Sequence, residues 1–266
     1  MPEPLIRFLD VHKAFDRPVL AGVDLDVLEG ETVSILGPSG TGKSVLLKTS
    51  IGLIPPDRGD VIVDGESVRG GPQALQRIRA KAGYVFQYSA LFDSMNVLEN
   101  VSLGIRDEEQ RRLGPAEVRR RVEEALQSVN LDPGAVLGKL PAELSGGMRK
   151  RVGLARAVVG KPRILLYDEP VTGLDPVNTA AVSQLIQSVD AAYGVTSLVV
   201  THDVNQALQI SDRVALLDRG LLRFVGTPQE FRACPEPLVR AFADPAAADE
   251  LARSQREDEE DEEEVP

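Results

Sequence analysis

The chain has 266 residues, 42% of them hydrophobic and 27% charged, so it is long enough and apolar enough to bury a sizeable core. Its net charge of −11 is concentrated in one acidic run, Glu257 to Glu264, and the other residues carry only −3. That mild balance, with 4% aromatic residues and no tryptophan, disfavours a protein that binds nucleic acid. A single cysteine excludes an internal disulfide and a cysteine-based zinc site. No apolar run approaches about 18 residues and no signal-peptide pattern begins the chain, so we expect a cytoplasmic protein.

The opening segments alternate apolar and polar residues, as half-buried strands do. Residues 5–11 and 23–27 show this alternation, and Val61 to Val63 runs into Asp64-Gly65, a strong hairpin signal. We therefore predict a β-rich, antiparallel start to the chain. Phe15 lies near the turn between the first two strands. It is either a core aromatic residue or a ring that stacks on an adenine, and its position alone does not decide between them.

A glycine-rich motif follows a short apolar strand at residues 32–36 and precedes a predicted helix. It fits the pattern G-x-x-x-x-G-K-[ST] of the phosphate-binding P-loop. Its glycines let the backbone wrap closely around a polyphosphate, and its N–H groups point at negative charge. Lys43 should reach the β- and γ-phosphates of a nucleotide, and the Ser44 hydroxyl should hold Mg²⁺. The residues predicted to bind nucleotide here are Gly37, Pro38, Ser39, Gly40, Thr41, Gly42, Lys43, Ser44 and Val45.

The middle of the chain has helical periodicity. A short strand at Tyr84 to Phe86 ends at Gln87, and apolar residues then recur at helical spacing from about residue 97, most clearly between Glu117 and Val129. We interpret residues 90–160 as a helical subdomain inserted into a nucleotide-binding domain of residues 1–240. Residues 241–266 form an acidic tail that should repel itself and stay disordered.

Strands and helices alternate in the second half, which predicts a mostly parallel sheet covered on both faces. Asp168 and Glu169 directly follow the buried strand 164–167, at the edge where such sheets bind ligands. Asp168 suits a Mg²⁺ role, and Glu169 is placed to orient or deprotonate an attacking water. Gln87 and His202 also follow short strands. Gln87 would touch the metal or the water, and His202 would contact a γ-phosphate.

A second anion-binding helix start is predicted at Leu144-Ser145-Gly146-Gly147-Met148. Small residues let the backbone approach a ligand, and Ser145 is a plausible N-cap for the helix that follows. Taken alone, an ordinary glycine turn before a helix would explain this stretch equally well.

The set of motifs resembles the ATP-binding cassette (ABC) ATPases over about residues 5–232. In the family's order, Phe15 is similar to the adenine-stacking aromatic, residues 37–44 to Walker A, and Gln87 to the Q-loop. Residues 144–148 resemble the signature, 164–169 Walker B, 173–176 with Asp175 the D-loop, and His202 the switch histidine. The resemblance implies two ATP molecules with Mg²⁺ sandwiched in a head-to-tail dimer. Each ATP would lie on Walker A of one chain and on Ser145, Gly146 and Gly147 of the other. Two departures are Met148, where glutamine is commoner, and Phe15, where tyrosine is frequent.

Residues 87–101 and 144–151 further resemble the Mce/Mla-type lipid-transport ATPases. That resemblance implies docking on an integral membrane permease at the cytoplasmic face of the inner membrane. Lipid-binding Mce-type and small regulatory subunits would complete the complex. Leu91, Phe92 and Met95 are candidates for the docking surface, or else ordinary core residues. Glycine betaine importer ATPases share the Ser-Gly-Gly-Met signature and are the nearest alternative. Soluble ABC proteins that act on ribosomes or DNA usually carry two cassettes or a long coiled coil, and this chain has neither.

Overall fold

Two sheets organise the residues that the computed structural model describes, which are 3–244 and Ala247. Their strands are β1 (Pro4–Ala14), β2 (Pro18–Leu28), β3 (Thr32–Leu36), β4 (Arg58–Val63), β5 (Glu66–Ser67), β6 (Ala82–Val85), β7 (Ile164–Asp168), β8 (Thr196–Val200), β9 (Arg213–Asp218) and β10 (Leu221–Gly226). The first sheet is antiparallel, in the order β2-β1-β4-β5. The second has the order β10-β9-β3-β8-β7-β6, and only its edge strand β10 runs antiparallel. The α/β fold with an antiparallel opening and a mostly parallel core sheet is therefore confirmed.

Helices cover the core sheet and form a separate helical layer. They are α1 (Lys43–Thr49), α2 (Pro72–Ala80), α3 (Val97–Ser102), α4 (Asp107–Leu113), α5 (Pro115–Ser128), α6 (Pro133–Val136), α7 (Gly146–Val158), α8 (Pro176–Tyr193), α9 (Val204–Ile210), α10 (Pro228–Ala233) and α11 (Pro237–Ala243), with a 3₁₀ turn at Pro141–Glu143. Helix α7 packs against α3, α5 and β6, so it joins the helical layer to the core sheet. At the contact with the end of α3 a Cβ on Gly104 would lie 1.9 Å from the Arg156 carbonyl oxygen, and only glycine permits this approach.

Burial follows the sequence pattern. All five residues of β3, β7 and β8 are buried, as expected for parallel strands covered on both faces. One apolar cluster lies between the antiparallel sheet and the core sheet, and it includes Phe8, Ile35 and Leu198. A second cluster joins α3, α5, α7 and α8 to β6 and β7. Both clusters fix the carboxyl ends of the core strands, where the candidate site lies.

Several local predictions are confirmed and a few element boundaries differ. Asp64 and Gly65 make the β4–β5 hairpin turn, with φ angles of 48° and 78°. Strand β6 ends at Val85, so Phe86 lies outside it and is partly exposed. Helix α8 begins at Pro176, because the Asp175 carboxylate caps it and proline suits the first helical position. Strand β10 is a strand that the sequence did not predict.

The acidic run from Glu257 to Glu264 and most of the predicted tail lie outside the described residues. Within the described part of the chain, none of the helices combines the length and the apolar character that crossing a bilayer requires.

Candidate active site

The P-loop follows β3, and two of its three glycines are required by packing against the rest of the protein. A Cβ on Gly37 would lie 2.3 Å from the Leu217 carbonyl oxygen, and one on Gly42 would lie 2.7 Å from Val19 Cγ1. Gly42 also has a φ of 103°, which side chains rarely adopt. At Gly40 a Cβ would meet open space. Gly37 and Gly42 therefore fit the loop against β9 and β2, and Gly40 leaves the loop's outer side open to a ligand.

Lys43, the first residue of α1, turns its ammonium back into the loop. Its Nζ donates hydrogen bonds to the carbonyl oxygens of Gly37 and Pro38, both at 2.9 Å, and lies 3.6 Å from Glu169 Oε1. The side chain is buried, and this burial lowers the pKa of Lys43, while the Glu169 carboxylate acts in the opposite direction. The ammonium is therefore held at the mouth of the loop, where it can meet an anion.

Ser44 and Asp168 meet at the end of β7. The Ser44 hydroxyl donates to Asp168 Oδ1 at 2.6 Å, and the Tyr84 hydroxyl donates to Oδ2 at 2.8 Å. The Lys48 ammonium lies 3.8 Å from the same Oδ2. Burial and the Asp168 carboxylate raise the pKa of Tyr84, so its phenol stays a hydrogen-bond donor. Three side chains thus fix the orientation of one carboxylate beside the P-loop.

Glu169 has a strained backbone and is held by two other side chains. Its φ is 49°, in the left-handed region, where a residue with a Cβ pays about 1–2 kcal/mol. Its N–H donates to the Val200 carbonyl oxygen at 2.9 Å, which extends the contact between β7 and β8 by one residue. The carboxylate oxygen Oε2 lies 2.7 Å from His202 Nδ1 and accepts from the Thr172 hydroxyl at 3.1 Å. This places a buried carboxylate between the Lys43 ammonium and a half-exposed imidazole.

Gln87 and Phe15 lie on the margins of this cluster. Strand β6 pairs with β7 through Val85 and Tyr167, so Gln87 follows β6 at the same sheet edge as Asp168. The Phe15 side chain is 60% exposed, and the Lys13 ammonium lies 5.4 Å from its ring centroid. The core-residue interpretation of Phe15 is therefore wrong, and its stacking on adenine stays a prediction.

The signature residues form a separate surface at the start of α7. Ser145 caps the helix by accepting from the Met148 N–H at 3.2 Å, as predicted. Gly146 and Gly147 leave room for a ligand, since the nearest atom to a Cβ on Gly147 would be Asn178 Oδ1 at 3.9 Å. Within the described residues no hydrogen bond or ion pair joins this surface to the P-loop. Asp175 uses its carboxylate to cap α8, accepting from the N–H groups of Val177 and Asn178 at 3.0 Å, so its contact with a nucleotide stays a prediction.

Sequence reasoning did not identify some residues that hold this site. The sequence predicts Tyr84 only as part of a strand, although its side chain binds Asp168. Lys48 follows Ser44 by one helical turn, and this spacing is the signal that indicates its place near the same carboxylate. Thr172 lies in the turn after β7, and no sequence pattern indicated its bond to Glu169.

Residues 20–172, more than half of the chain, match the family model described as ABC transporter. The chain belongs to the ABC transporter family. It is 43% identical over 238 residues to the probable ribonucleotide transport ATP-binding protein mkl of Mycobacterium leprae (strain TN), which covers 89% of this chain and 67% of that protein. It is 38% identical over 256 residues to protein TRIGALACTOSYLDIACYLGLYCEROL 3, chloroplastic, of Arabidopsis thaliana, covering 90% and 73% of the two chains. Among solved structures, the dimeric ATP-binding cassette MJ0796 bound to ADP and Pi matches with a TM-score of 0.75 and 32% identity, over 84% of this chain and 98% of that one.

As an ABC ATPase, the protein hydrolyses ATP to ADP and phosphate and supplies the energy of a transporter. The site's oxygen donors fit Mg²⁺, because Ser44 and Asp168 place a hydroxyl and a carboxylate oxygen 2.6 Å apart beside the P-loop. No group of three or more His, Cys, Asp or Glu side chains in the described residues is arranged to hold a metal ion. Magnesium with one or two carboxylates and nucleotide phosphates as ligands needs no such group.

Proposed function

We propose that this ABC ATPase works as a head-to-tail dimer that powers lipid transport, of the Mce/Mla type, through a membrane permease. The observation that carries the dimer is the division of the site into two parts. Lys43 contacts Glu169 and Ser44 contacts Asp168 within one chain, whereas the signature surface at Ser145 to Gly147 forms no hydrogen bond or ion pair with the P-loop in the part of the chain that the structure describes. A second copy supplies what each part lacks, and the MJ0796 structure is a dimer of similar chains.

The residues of the described site have distinct roles in this proposal. The P-loop N–H groups and Lys43 bind the phosphates, and Phe15 stacks on the adenine. Ser44, Asp168 and Gln87 would hold Mg²⁺, which would supply positive charge to neutralise the phosphates. Glu169 accepts the proton of the attacking water, and His202, bonded to its Oε2, contacts the γ-phosphate. Ser145, Gly146 and Gly147 of the second copy close over the same phosphates, and Asp175 lies beside them at the start of α8.

Lipid as the substrate class is supported by two observations. The segments around Gln87 and the signature resemble lipid-transport ATPases, and the Arabidopsis relative bears the name of a galactolipid. A solute importer is the second candidate, because the mycobacterial relative is named for ribonucleotide transport. The two candidates share every ATP-site residue, so only the membrane partner distinguishes them.

The permease docks, in this proposal, on the surface formed by Tyr88 and Phe92. Tyr88 is 82% exposed and Phe92 is 54% exposed, which is unusual for aromatic residues in a chain with so few. The buried Asn100 fixes the segment: its amide donates to the carbonyl oxygens of Phe92 and Met95, and its Oδ1 accepts from the Phe92 N–H. Leu91 packs on the core instead, so the docking role predicted for it passes to Tyr88. Such docking would place the protein at the cytoplasmic face of the membrane.

The proposal is tested by purifying the tagged chain from its own membranes and identifying the proteins and lipids that accompany it. We expect a permease, an Mce-type lipid-binding subunit and bound phospholipid. With Phe92→Asp, the amount of permease that co-purifies should fall at least about tenfold, since a charge in an apolar contact costs several kcal/mol. The control is Leu53→Asp, since Leu53 is also an exposed apolar residue. Phe224 is unsuitable for this purpose because the Phe224 ring packs on Phe231. A solute-binding subunit in place of the lipid-binding one would establish the importer, and full recovery with Phe92→Asp would refute the docking surface.

A further inference from the structure

Lys150 lies in the second turn of α7 and reaches out of the helix to the turn that follows β7. Its ammonium donates to the carbonyl oxygen of Pro170 at 2.9 Å and to that of Thr172 at 2.8 Å. Both acceptors lie within three residues of Glu169. A helix residue therefore holds the backbone of the segment that directly follows the proposed catalytic base.

The Lys150 contact is not an ion pair. No Asp or Glu of the described residues forms a salt bridge with Lys150, and its burial, without an opposing carboxylate, lowers the pKa of the ammonium. Even partial burial of a cation without a counter-charge is unfavourable, and its hydrogen bonds to the two carbonyl oxygens offset that cost. A neutral or apolar residue would fill the same space without that cost, which indicates that the two hydrogen bonds themselves are used.

The held turn acts directly on Glu169. The Thr172 N–H donates to the Glu169 carbonyl oxygen at 3.3 Å, and the Thr172 hydroxyl donates to Glu169 Oε2 at 3.1 Å. Lys150 fixes the Thr172 carbonyl, so it fixes the residue that binds the carboxylate. The strained φ of Glu169, 49°, needs such external support to persist.

The other end of this connection is the signature. Ser145 caps α7 five residues before Lys150, which corresponds to about 7.5 Å along the helix axis. Helix α7 thus has the signature at its N-terminus, and one to two turns later it has Lys150, which binds the segment after Glu169. Any shift of α7 moves both.

We propose that Lys150 is a positioning residue: through the carbonyl groups of Pro170 and Thr172 it sets the orientation of Glu169 and couples it to the α7 N-terminus. This inference rests on the proposed dimer, in which that N-terminus binds the partner's nucleotide. Closure of the signature on one nucleotide would then adjust the catalytic base of the other site in the same chain. In this proposal Lys150 acts only through the two carbonyl oxygens that accept its hydrogen bonds.

The test compares Lys150→Met with Lys150→Arg in the full-length chain, using steady-state ATP hydrolysis and equilibrium binding of a fluorescent ATP analogue. For Lys150→Met we expect a kcat about tenfold lower, because misplacing a catalytic group by a fraction of an ångström has effects of this size. KM and nucleotide affinity should stay within about twofold, since the P-loop is untouched. Lys150→Arg, which retains donors for both carbonyl oxygens, should recover most of the lost kcat. Exposed Lys161→Met, just past the end of α7, is the matched control.

A double-mutant cycle separates positioning from general damage. Thr172→Val removes the hydroxyl bond to Glu169, and its effect on kcat should not add to that of Lys150→Met, because both act through the same carboxylate. Additive effects, an unchanged kcat in Lys150→Met, or equal losses in kcat and nucleotide affinity would each overturn the proposal. If Lys150→Met does not fold, Lys150→Leu, which also lacks a donor, is judged by the same criteria. A wild-type chain that hydrolyses ATP as a strict monomer would refute the dimer instead, whatever Lys150 does.

Discussion

The two surfaces of this chain that we propose to bind phosphate differ in how many contacts their own residues already make. Around the P-loop the side chains already contact one another: Lys43 with Glu169, Ser44 with Asp168, and Glu169 with His202. At the signature, Ser145 only caps its own helix, and a Cβ on Gly146 or Gly147 would meet no atom closer than 3.9 Å, Arg149 Nη2 and Asn178 Oδ1 respectively. The first surface is held together by contacts between side chains, and the second consists mainly of backbone groups at a helix N-terminus.

This difference follows from what each surface is made of. Charged side chains brought together at a sheet edge must be neutralised, so they pair with each other when no nucleotide is there. A helix N-terminus built from glycines carries only partial charges, which water satisfies at little cost. The P-loop half should therefore determine chemistry and affinity, and the signature half should determine assembly. The predictions below separate these functions.

The largest effect is expected from Glu169→Gln. The amide keeps the shape and a hydrogen-bond acceptor but is not a base, so the ATP hydrolysis rate should fall at least about 100-fold. ATP binding should remain, and gel filtration with ATP should show a trapped dimer. The removal of one negative charge beside Lys43 should favour bound phosphate slightly.

Exposed Glu108→Gln in α4 is the matched control for this change and should hydrolyse ATP normally. Undiminished phosphate release from Glu169→Gln would refute its assignment as the base. A variant that binds ATP yet stays monomeric under all conditions would refute the dimer.

Gly147→Asp should disrupt the signature surface and leave the P-loop surface unchanged. The side chain has space in the single chain, and an acidic residue in the first turn favours the helix, so stability should not fall. Facing the partner's triphosphate, however, the carboxylate repels it by about 3 kcal/mol, which lowers turnover about 100-fold. Monomer affinity for ATP, measured by fluorescence titration, should be unchanged.

The double variant Gly147→Asp with Glu169→Gln tests both surfaces together. With ATP it should be monomeric, because Gly147→Asp should prevent formation of the dimer that Glu169→Gln traps. Gly138→Asp is the control, since Gly138 is exposed in the same helical layer and a Cβ there would meet nothing within 4 Å. A persistent dimer in the double variant would mean that the signature does not bind the partner's nucleotide.

The motifs could be predicted from sequence because each is local. Gly37 to Ser44 and Asp168 each directly follow a buried strand. The carboxyl end of that strand is therefore enough to predict where they lie. Parallel pairing of β3, β8 and β7 then brings Lys43, Glu169 and His202 together, although they are far apart in the chain. The fold, and the grouping of Lys43, Glu169 and His202 in one candidate site, were therefore predictable to a large extent.

What sequence could not supply are contacts that cross between elements. Tyr84 reaches Asp168 from β6, and Lys150 reaches the turn after β7 from another layer. No periodicity predicts either one, because neither residue type nor spacing specifies a partner in a different element. The same holds for Leu91 and Phe92, adjacent residues of similar character, of which one packs on the core and the other faces solvent.

The smallest effect is expected from Phe15→Ala, which tests the nucleotide's base rather than its phosphates. The ring is 60% exposed and belongs to no buried cluster, so its removal should leave the melting temperature unchanged. Base–aromatic stacking contributes about 1–3 kcal/mol, and at so exposed a site the lower value gives an affinity for ATP about fivefold weaker. Phe15→Tyr should bind as the wild type does.

Binding of inorganic tripolyphosphate, measured by displacement of a fluorescent nucleotide from the wild type and from Phe15→Ala, isolates the base from the phosphates. Its affinity should be the same for both proteins, because Lys43 and the loop N–H groups are unaltered. A loss for tripolyphosphate equal to that for ATP would mean that Phe15 supports the P-loop through the neighbouring β2, where Val19 contacts Gly42, and not through an adenine ring. The residues that support phosphate binding would then include part of the antiparallel sheet, beyond the residues that contact the P-loop through polar groups.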